Sequence, residues 1–112
     1  MESTENRTRK IAETNDQVRK TLTRDRLAIT VGVQHLSEDT QTRIFAAIDE
    51  FSDFNEDNDP HREHDFGQVD VDGNSVFWKI DYYDNGFEYH TPDVLERSVT
   101  RRVLTVMLAD EY

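Results

Sequence analysis

The fold is decided by the stretch Phe66–Tyr83, which reads FGQVDVDGNSVFWKIDYY. Two runs rich in β-branched and aromatic residues, Phe66–Val71 and Ser75–Tyr83, are typical of strands. Between them lies Asp72-Gly73-Asn74, where Gly73 tolerates the positive φ of a tight turn. Alternation along both runs puts these apolar side chains on one face: Val69, Val71, Val76, Trp78 and Ile80. The stretch therefore predicts a β-hairpin with one face in the core.

Further strands are predicted on either side of this hairpin. The turn residues Asp84-Asn85-Gly86 indicate a reversal that brings Phe87–Tyr89 back as another strand. Upstream, large apolar residues alternate with small or polar ones over Leu27–Val33, a pattern typical of a strand with one buried face. Together these segments predict an antiparallel sheet of about four strands.

Three segments show the helical period instead. The first runs from about Thr8 to Arg24, with an apolar stripe of Ile11, Val18 and Leu22. The second begins at Ser37 or Asp39, either of which can cap a helix. Its apolar stripe consists of Ile44, Phe45, Ile48 and Phe51. Both segments are therefore predicted to be amphipathic helices that pack on the sheet.

The third helix is predicted from about Ser98. Its apolar stripe comprises Val99, Val103, Val106 and Met107. Its β-branched content makes a strand the alternative. With a helix here, the predicted order is α-β-α-β-β-β-α, a two-layer α+β fold with three helices on one face of an antiparallel sheet. The chain has 112 residues, so we expect a single domain over residues 1–112, with residues 1–6 disordered.

Negative charge is concentrated in the middle of the chain. The net charge is −11, and the stretch 49–90 contains thirteen acids against two bases, Arg62 and Lys79. Such a chain repels phosphate and anionic lipid, which disfavours direct binding to nucleic acid or membranes. The absence of cysteine excludes disulfides and thiolate metal sites. With no apparent signal peptide or membrane-spanning segment, we expect a cytoplasmic protein.

The loop 53–64 has the spacing of a calcium loop at its start. Oxygen-bearing side chains occupy its positions 1, 3, 5 and 7, namely Asp53, Asn55, Asp57 and Asp59. However, Asn58 replaces the glycine at position 6 of such loops, and His64 replaces the glutamate at position 12. We therefore expect no metal site of this type.

The end of this loop offers a second kind of site. Glu63, His64 and Asp65, with His61 close by, could hold zinc or manganese or perform acid–base chemistry. The alternative is that His64 and Asp65 only order the loop through hydrogen bonds. The sequence contains no glycine-rich phosphate loop, nucleophile elbow or His-Glu-x-x-His motif, so it predicts no cofactor.

Four stretches resemble a mostly alphaproteobacterial family of proteins of unknown function, numbered 3768. They are Ile11–Leu22, Asn58–Gly67, Val76–Asp84 and Arg102–Tyr112. The resemblance implies that these stretches belong to one domain, found frequently among mobile-element genes. It implies no activity, cofactor or catalytic residue.

The leading hypothesis is a non-enzymatic module that presents an acidic surface to a basic protein partner. In its sharpest form the protein is a mobile-element inhibitor, anti-CRISPR or anti-restriction, that mimics DNA and occupies the nucleic-acid-binding surface of a host defence complex. The predicted partner-binding residues are the acids Asp53, Glu56, Asp57, Asp59 and Glu63 and the anchors Tyr82, Tyr83 and Tyr89. The alternative is a small metal-dependent hydrolase or nuclease that uses Glu63, His64 and Asp65.

Overall fold

The computed structural model of the protein describes residues 3–21 and 26–112. The helices are α1 (Thr4–Thr21), α2 (Val31–Gln34) and α3 (Glu38–Glu50). The strands are β1 (Arg26–Ile29), β2 (Phe66–Val71), β3 (Asn74–Tyr83) and β4 (Arg101–Leu108). Short 3-10 turns at Arg97–Val99 and Ala109–Glu111 flank β4. The three helices and four strands confirm the predicted α+β class and the number of strands.

The predicted hairpin is present as β2 and β3. Asp72 and Gly73 have φ angles of 52° and 79°, as a two-residue hairpin turn requires, and Val71 pairs with Asn74 across it. Gly67 pairs with Trp78, and a Cβ added to this glycine would lie 2.5 Å from the indole nitrogen. The indole can therefore lie across β2 only because residue 67 has no side chain.

The core lies between the sheet and the two long helices. Trp78 and Val76 are fully buried on β3, and they belong to one apolar cluster with Val18 of α1 and Ile44 and Ile48 of α3. Helix α3 starts where the sequence predicts, because the Ser37 hydroxyl accepts a hydrogen bond from the Thr40 amide (3.1 Å). Helices α1 and α3 thus cover the same face of the sheet.

The sheet has the order β1-β4-β3-β2. Strand β3 is antiparallel to both β2 and β4, whereas β1 is parallel to β4. The sheet is therefore mixed, and the prediction of a purely antiparallel sheet was wrong for one strand pair. The reason is that β4 lies between β1 and β3, so β1 pairs with β4 and not with the β2–β3 hairpin.

The predicted C-terminal helix from Ser98 was wrong, because Arg101–Leu108 is strand β4. This strand lies between two others, and consecutive residues on opposite faces of it are buried: Val103, Leu104, Val106 and Met107. A strand buried on both faces shows an apolar run instead of alternation, and such a run also fits a helical stripe. The alternative assignment, a strand, was the correct one.

Two other strand predictions were wrong in their extent. Strand β1 ends at Ile29, and Val31 and Val33 lie in α2. The Glu111 carboxylate fixes this break, since it accepts hydrogen bonds from the Thr30 hydroxyl (2.6 Å) and the Gly32 amide (3.0 Å). A contact between residues about eighty positions apart cannot be anticipated from the local pattern.

The segment Phe87–Tyr89 forms no strand. Asp84 Oδ1 accepts hydrogen bonds from the backbone amides of Gly86, Glu88 and Tyr89, which folds the chain into a compact turn. A single antiparallel bridge between Tyr83 and His90 follows it. The turn prediction was therefore right, and the strand after it was wrong.

At the N-terminus, α1 already begins at Thr4, within the six residues predicted to be disordered. Leu22 and Arg24, predicted to be in the first helix, lie outside the described residues. Within the described part of α1, Ile11 and Val18 are buried as the stripe predicts.

Candidate interaction surface

Exposed carboxylates are concentrated at the end of α3 and in the loop after it. We call residues 49–57 the acidic segment. Its five acids are all exposed: Asp49, Glu50, Asp53, Glu56 and Asp57. None of them takes part in an ion pair between residues that the structure describes. By contrast, other surface acids such as Asp72 and Asp81 are paired, with Arg43 and Lys79 respectively.

Asparagine side chains shape the acidic segment. Asn55 Oδ1 accepts hydrogen bonds from the amides of Asp57 (2.8 Å) and Asn58 (3.1 Å). Asn58 in turn donates from Nδ2 to the Asp53 carbonyl (2.7 Å) and accepts from the Asn55 amide (2.9 Å). The turn is therefore closed by neutral groups, and the carboxylates of Asp53, Glu56 and Asp57 make none of these hydrogen bonds.

A buried arginine anchors the start of the segment. Arg19 of α1 is 2% exposed, and its Nη1 donates to the carbonyls of Ile48 (2.8 Å) and Phe51 (2.7 Å) at the end of α3. The Ile48 carbonyl also accepts a hydrogen bond from the Phe51 amide (3.2 Å), and a cation at this end of the helix complements the helix dipole. Arg19 thus fixes the point at which the chain leaves α3.

The next acid in the loop turns inward. Asp59 is 5% exposed, and its carboxylate accepts a hydrogen bond from the His64 amide (3.3 Å). The imidazole of His64 lies between two carboxylates, with Nδ1 3.0 Å from Asp16 Oδ1 and Nε2 3.7 Å from Asp59 Oδ2. Its ring stacks on Phe54 at a centroid distance of 3.8 Å. His64 therefore ties the loop to α1.

Glu63 and Asp65 point to a different partner, the phenol of Tyr82. The Tyr82 hydroxyl donates to Asp65 Oδ2 (3.2 Å) and accepts from Asn15 Nδ2 (2.7 Å). Burial raises the pKa of Glu63 above its ordinary value, and the nearby Asp65 carboxylate raises it further. Burial is also the main cause of the raised pKa of Asp65. These two carboxylates therefore lie where loss of water disfavours their ionised forms.

Arg102 of β4 contacts the same group of side chains. It is 4% exposed, donates from Nε to Asn15 Oδ1 (2.9 Å), and lies over the Tyr82 ring at 5.2 Å. Burial and the Asp65 carboxylate raise the pKa of Tyr82, which keeps its hydroxyl protonated and able to donate. The sequence did not indicate that Asn15 and Arg19 of α1 make these contacts. The one feature that could have indicated it is the position of Asn15, a polar residue on the apolar stripe of that helix.

The three residues of the hydrolase hypothesis are neighbours in the chain but do not converge. His64 contacts Asp16, whereas Glu63 and Asp65 approach Tyr82. Among residues 3–21 and 26–112, no group of three or more His, Asp or Glu side chains has a geometry that could hold a metal ion. The calcium-like spacing is also divided, because Asp59 is buried while Asp53 and Asp57 point to solvent.

The predicted aromatic anchors differ in exposure. Tyr89 is 71% exposed, Tyr83 is half-buried, and Tyr82 is engaged by Asn15, Asp65 and Arg102. Of the predicted partner-binding acids, Asp53, Glu56 and Asp57 lie together on the exposed turn. Asp59 is buried and Glu63 is half-buried, so neither lies with these three on the exposed turn.

The comparisons with known proteins identify the family. The family described as "Protein of unknown function (DUF3768)" matches residues 29–111. The chain belongs to this family. No curated protein and no solved structure matches it significantly. In the described part of the chain, no helix is long and apolar enough to cross a membrane.

Proposed function

We propose that this member of the family is a non-enzymatic interaction module that binds a basic protein surface through its acidic segment. The observation that supports this most directly is the set of five exposed acids in residues 49–57, none of which makes an ion pair with another described residue. Asparagines close the turn, so the fold does not need these charges. Mutual repulsion among them is relieved when a cationic surface binds.

The partner-binding residues proposed are Asp53, Glu56 and Asp57, with Tyr89 as the aromatic anchor. Tyr83 is left out because it is half-buried on β3, on the face of the sheet opposite α1 and α3. Tyrosine suits this role because it buries a large rigid ring while its hydroxyl still forms a hydrogen bond. Asp59 and Tyr82 are left out of the contact surface because their polar groups are already satisfied inside the protein. Glu63 lies near Asp65 and Tyr82, so we do not propose that it contacts the partner directly.

In its specific form, the proposal is that the module inhibits a nucleic-acid-binding defence complex, as an anti-CRISPR or anti-restriction protein carried by a mobile element. A row of carboxylates on a rigid turn can take the place of phosphates in a basic groove. The support is the segregation of charge, with a net charge of −11 that equals the charge of the stretch 49–90. The resemblance to a family found among mobile-element genes is consistent with this role.

The test is affinity capture from a lysate of the host organism with wild-type protein and with the charge-reversal variant Asp53→Lys, Glu56→Lys, Asp57→Lys. We expect wild-type protein to retain a basic, nucleic-acid-binding partner that added duplex DNA displaces. The variant should lose that partner, because each reversed charge repels the basic surface.

The matched control is Asp39→Lys, Asp70→Lys, Asp110→Lys, which changes the net charge equally at exposed acids outside the acidic segment. We expect this control to keep the partner. Both variants should melt close to wild type, since exposed charges contribute little to stability. Equal binding by wild type and the first variant, or equal loss in both variants, would reject the acidic segment as the binding surface.

A hydrolase or nuclease is the second candidate, and two observations favour it. The pKa values of Glu63 and Asp65 are both raised, and such perturbed acids occur often at catalytic sites. An open groove of about 600 Å³ also lies between α1 and the loop; His64 lines it together with Asp16 and His61, whereas Glu63 and Asp65 do not. Its test is to measure bound zinc or manganese after purification and phosphodiester cleavage with and without chelator. Activity or bound metal that is lost in His64→Ala would reverse the ranking of the two candidates.

A further inference from the structure

The face of the sheet opposite α1 and α3 carries a second surface. Outward side chains alternate with core residues along the two central strands. We call these side chains the outer sheet face: Phe77, Lys79, Asp81 and Tyr83 on β3, and Arg101, Val103, Thr105 and Met107 on β4. Within residues 3–21 and 26–112, both long helices pack on the other face, so no long helix covers this one.

The order of chemical types along β3 is symmetric. The outward residues read aromatic, cation, anion, aromatic, from Phe77 through Lys79 and Asp81 to Tyr83. Lys79 Nζ lies 3.0 Å from Asp81 Oδ2. A twofold axis in the plane of the interface, crossing β3 at the level of Ile80, would place Phe77 against Tyr83 and Lys79 against Asp81 of a second copy. An isologous interface requires this kind of self-complementary patch.

The same twofold axis also places complementary residues of β4 opposite each other in the two copies. Ile80 pairs with Leu104, so the axis crosses β4 at Leu104. It would place Val103 against Thr105, and the aliphatic part of Arg101 against Met107, of the second copy. Val103 and Met107 are only 8% and 4% exposed, so the half-buried side chains around them, such as Lys79, Asp81 and Thr105, would make most of the contact with the second copy. Two such faces can stack as sheets do in a sandwich, about 10 Å apart.

Charge also distinguishes this face from the rest of the molecule. The chain carries −11, yet the outer sheet face has two cations, Lys79 and Arg101, against one anion, Asp81. Two copies therefore repel each other less when they meet through this face than through their acidic segments. We propose that the outer sheet face is the interface of a homodimer with twofold symmetry, a role separate from the partner binding proposed above.

The area of the outer sheet face indicates how tightly two copies should bind. The named residues span seven positions on each of two strands, and strands about 4.8 Å apart with about 3.3 Å per residue then give roughly 220 Å² per copy. The total is less than half of the ~1,000 Å² that a stable specific interface needs. The dimer is therefore expected to be weak and to dissociate on dilution.

Single-stranded nucleic acid is the competing occupant, since aromatic sheets can stack bases. Two features oppose it. Phe77 packs edge-on against Tyr112 at 81° and tilted against Phe66 at 57°, so the three rings form one cluster. Such a cluster can contact the Tyr83 ring of a second copy but does not present separate, parallel ring faces for successive bases. Lys79 is neutralised by Asp81 and offers phosphate little attraction.

The experiment measures mass in solution over a dilution series, by light scattering and sedimentation. Wild-type protein should change from twice the chain mass of 13.2 kDa toward that mass as it is diluted. Lys79→Glu and Asp81→Lys should each be monomeric, because each sets like charges against each other across the axis. The double variant Lys79→Glu, Asp81→Lys restores opposite charges and should dimerise again.

The decisive arm mixes the two single variants. Neither forms a homodimer, but together they place opposite charges across the axis, so a heterodimer should appear. Circular dichroism checks that each variant is folded. Dimerisation of either single variant, or failure of both the double variant and the mixture to dimerise, would overturn the proposal. So would a wild-type protein that stays monomeric up to millimolar concentration, or one that binds a fluorescent single-stranded oligonucleotide through this face.

The partner-binding proposal and the dimer proposal can be tested independently of each other. The charge-reversal variant Asp53→Lys, Glu56→Lys, Asp57→Lys should dimerise at least as well as wild type, because it lowers the repulsion between copies and leaves the outer sheet face intact. Loss of the dimer in that variant would place the interface at the acidic segment instead.

Discussion

Asp57 and Asp59 stand two residues apart in the same loop, but Asp57 is exposed to solvent and Asp59 is 5% exposed. In the acidic segment, which ends at Asp57, asparagine side chains close the turn. Its carboxylates form no ion pair with any residue that the structure describes. We call residues 59–65 the inward part of the loop; their acids contact His64 and Tyr82. The difference shows that the acidic composition of this loop has two origins. One group of acids accepts hydrogen bonds from the loop and from β3, and the carboxylates of the other make no hydrogen bond or ion pair with a described residue.

The largest effect is expected from the arginine that supports both parts. Arg19→Ala removes a buried cation that binds the end of α3 and Asp16, and that lies over Phe54 and Trp78. We expect the free energy of unfolding to fall by about 3–5 kcal/mol, measured by urea denaturation. The exposed neighbour Lys20→Ala is the control and should cost less than about 0.5 kcal/mol. Similar losses in both variants would mean that Arg19 has no special role.

The comparison of the two parts is tested directly by the pair Asp59→Ala and Asp57→Ala. Asp59→Ala leaves the His64 amide without its acceptor and should cost about 1–3 kcal/mol. Asp57→Ala should stay within about 0.5 kcal/mol of wild type. Urea denaturation of both variants at neutral pH measures the difference. If the two substitutions cost the same, the division of the loop does not hold.

The pH dependence of stability should come in part from Glu63 and Asp65. Their ordinary pKa values are 4.5 and 3.8, and folding raises both. Between the unfolded and folded pKa values the folded state binds more protons, so these groups lower the free energy of unfolding as pH rises through that window. The double variant Glu63→Gln, Asp65→Asn removes this loss. We therefore expect it to gain stability relative to wild type as the pH is raised from about 4 to 7, in urea denaturation at each pH. A constant or shrinking difference would contradict the raised pKa values.

The smallest effect is expected in the acidic segment. Glu56→Gln together with Asp57→Asn keeps the size and polarity of both side chains and removes two exposed charges. The free energy of unfolding should change by less than about 0.5 kcal/mol. A loss above about 1 kcal/mol in thermal and urea denaturation would show that these acids support the fold after all.

The sequence predicted those parts of the fold that local rules control. The turn at Asp72-Gly73 needs residues that tolerate positive φ, and the cap at Ser37 needs a short side-chain oxygen, so both could be read directly. Strand β4 could not, because burial on both faces removes its alternation. The end of β1 depends on Glu111, which is distant in sequence.

The candidate surface was predictable to a similar degree. The concentration of acid was visible in the sequence, and Asp53, Glu56 and Asp57 are indeed exposed. The burial of Asp59 and the convergence of Asn15, Tyr82 and Arg102 depend on how α1 packs against the loop and β4. Nothing local distinguishes Asp59 from Asp57, so this division required the three-dimensional structure.

The central place of β4 has a consequence for how the protein is made. Strand β1 can pair only after Val103 and its neighbours have left the ribosome, since Arg26 is opposite Val103 in the register. Until then the hairpin of β2 and β3 has an open edge, and α1 has no complete sheet to cover. The complete sheet is therefore expected to form only once β4 is available, and closure over so many residues makes this step slow. A chain interrupted before Arg101 would lack the strand with which both β1 and β3 pair, and its unpaired strands would be targets for proteolysis.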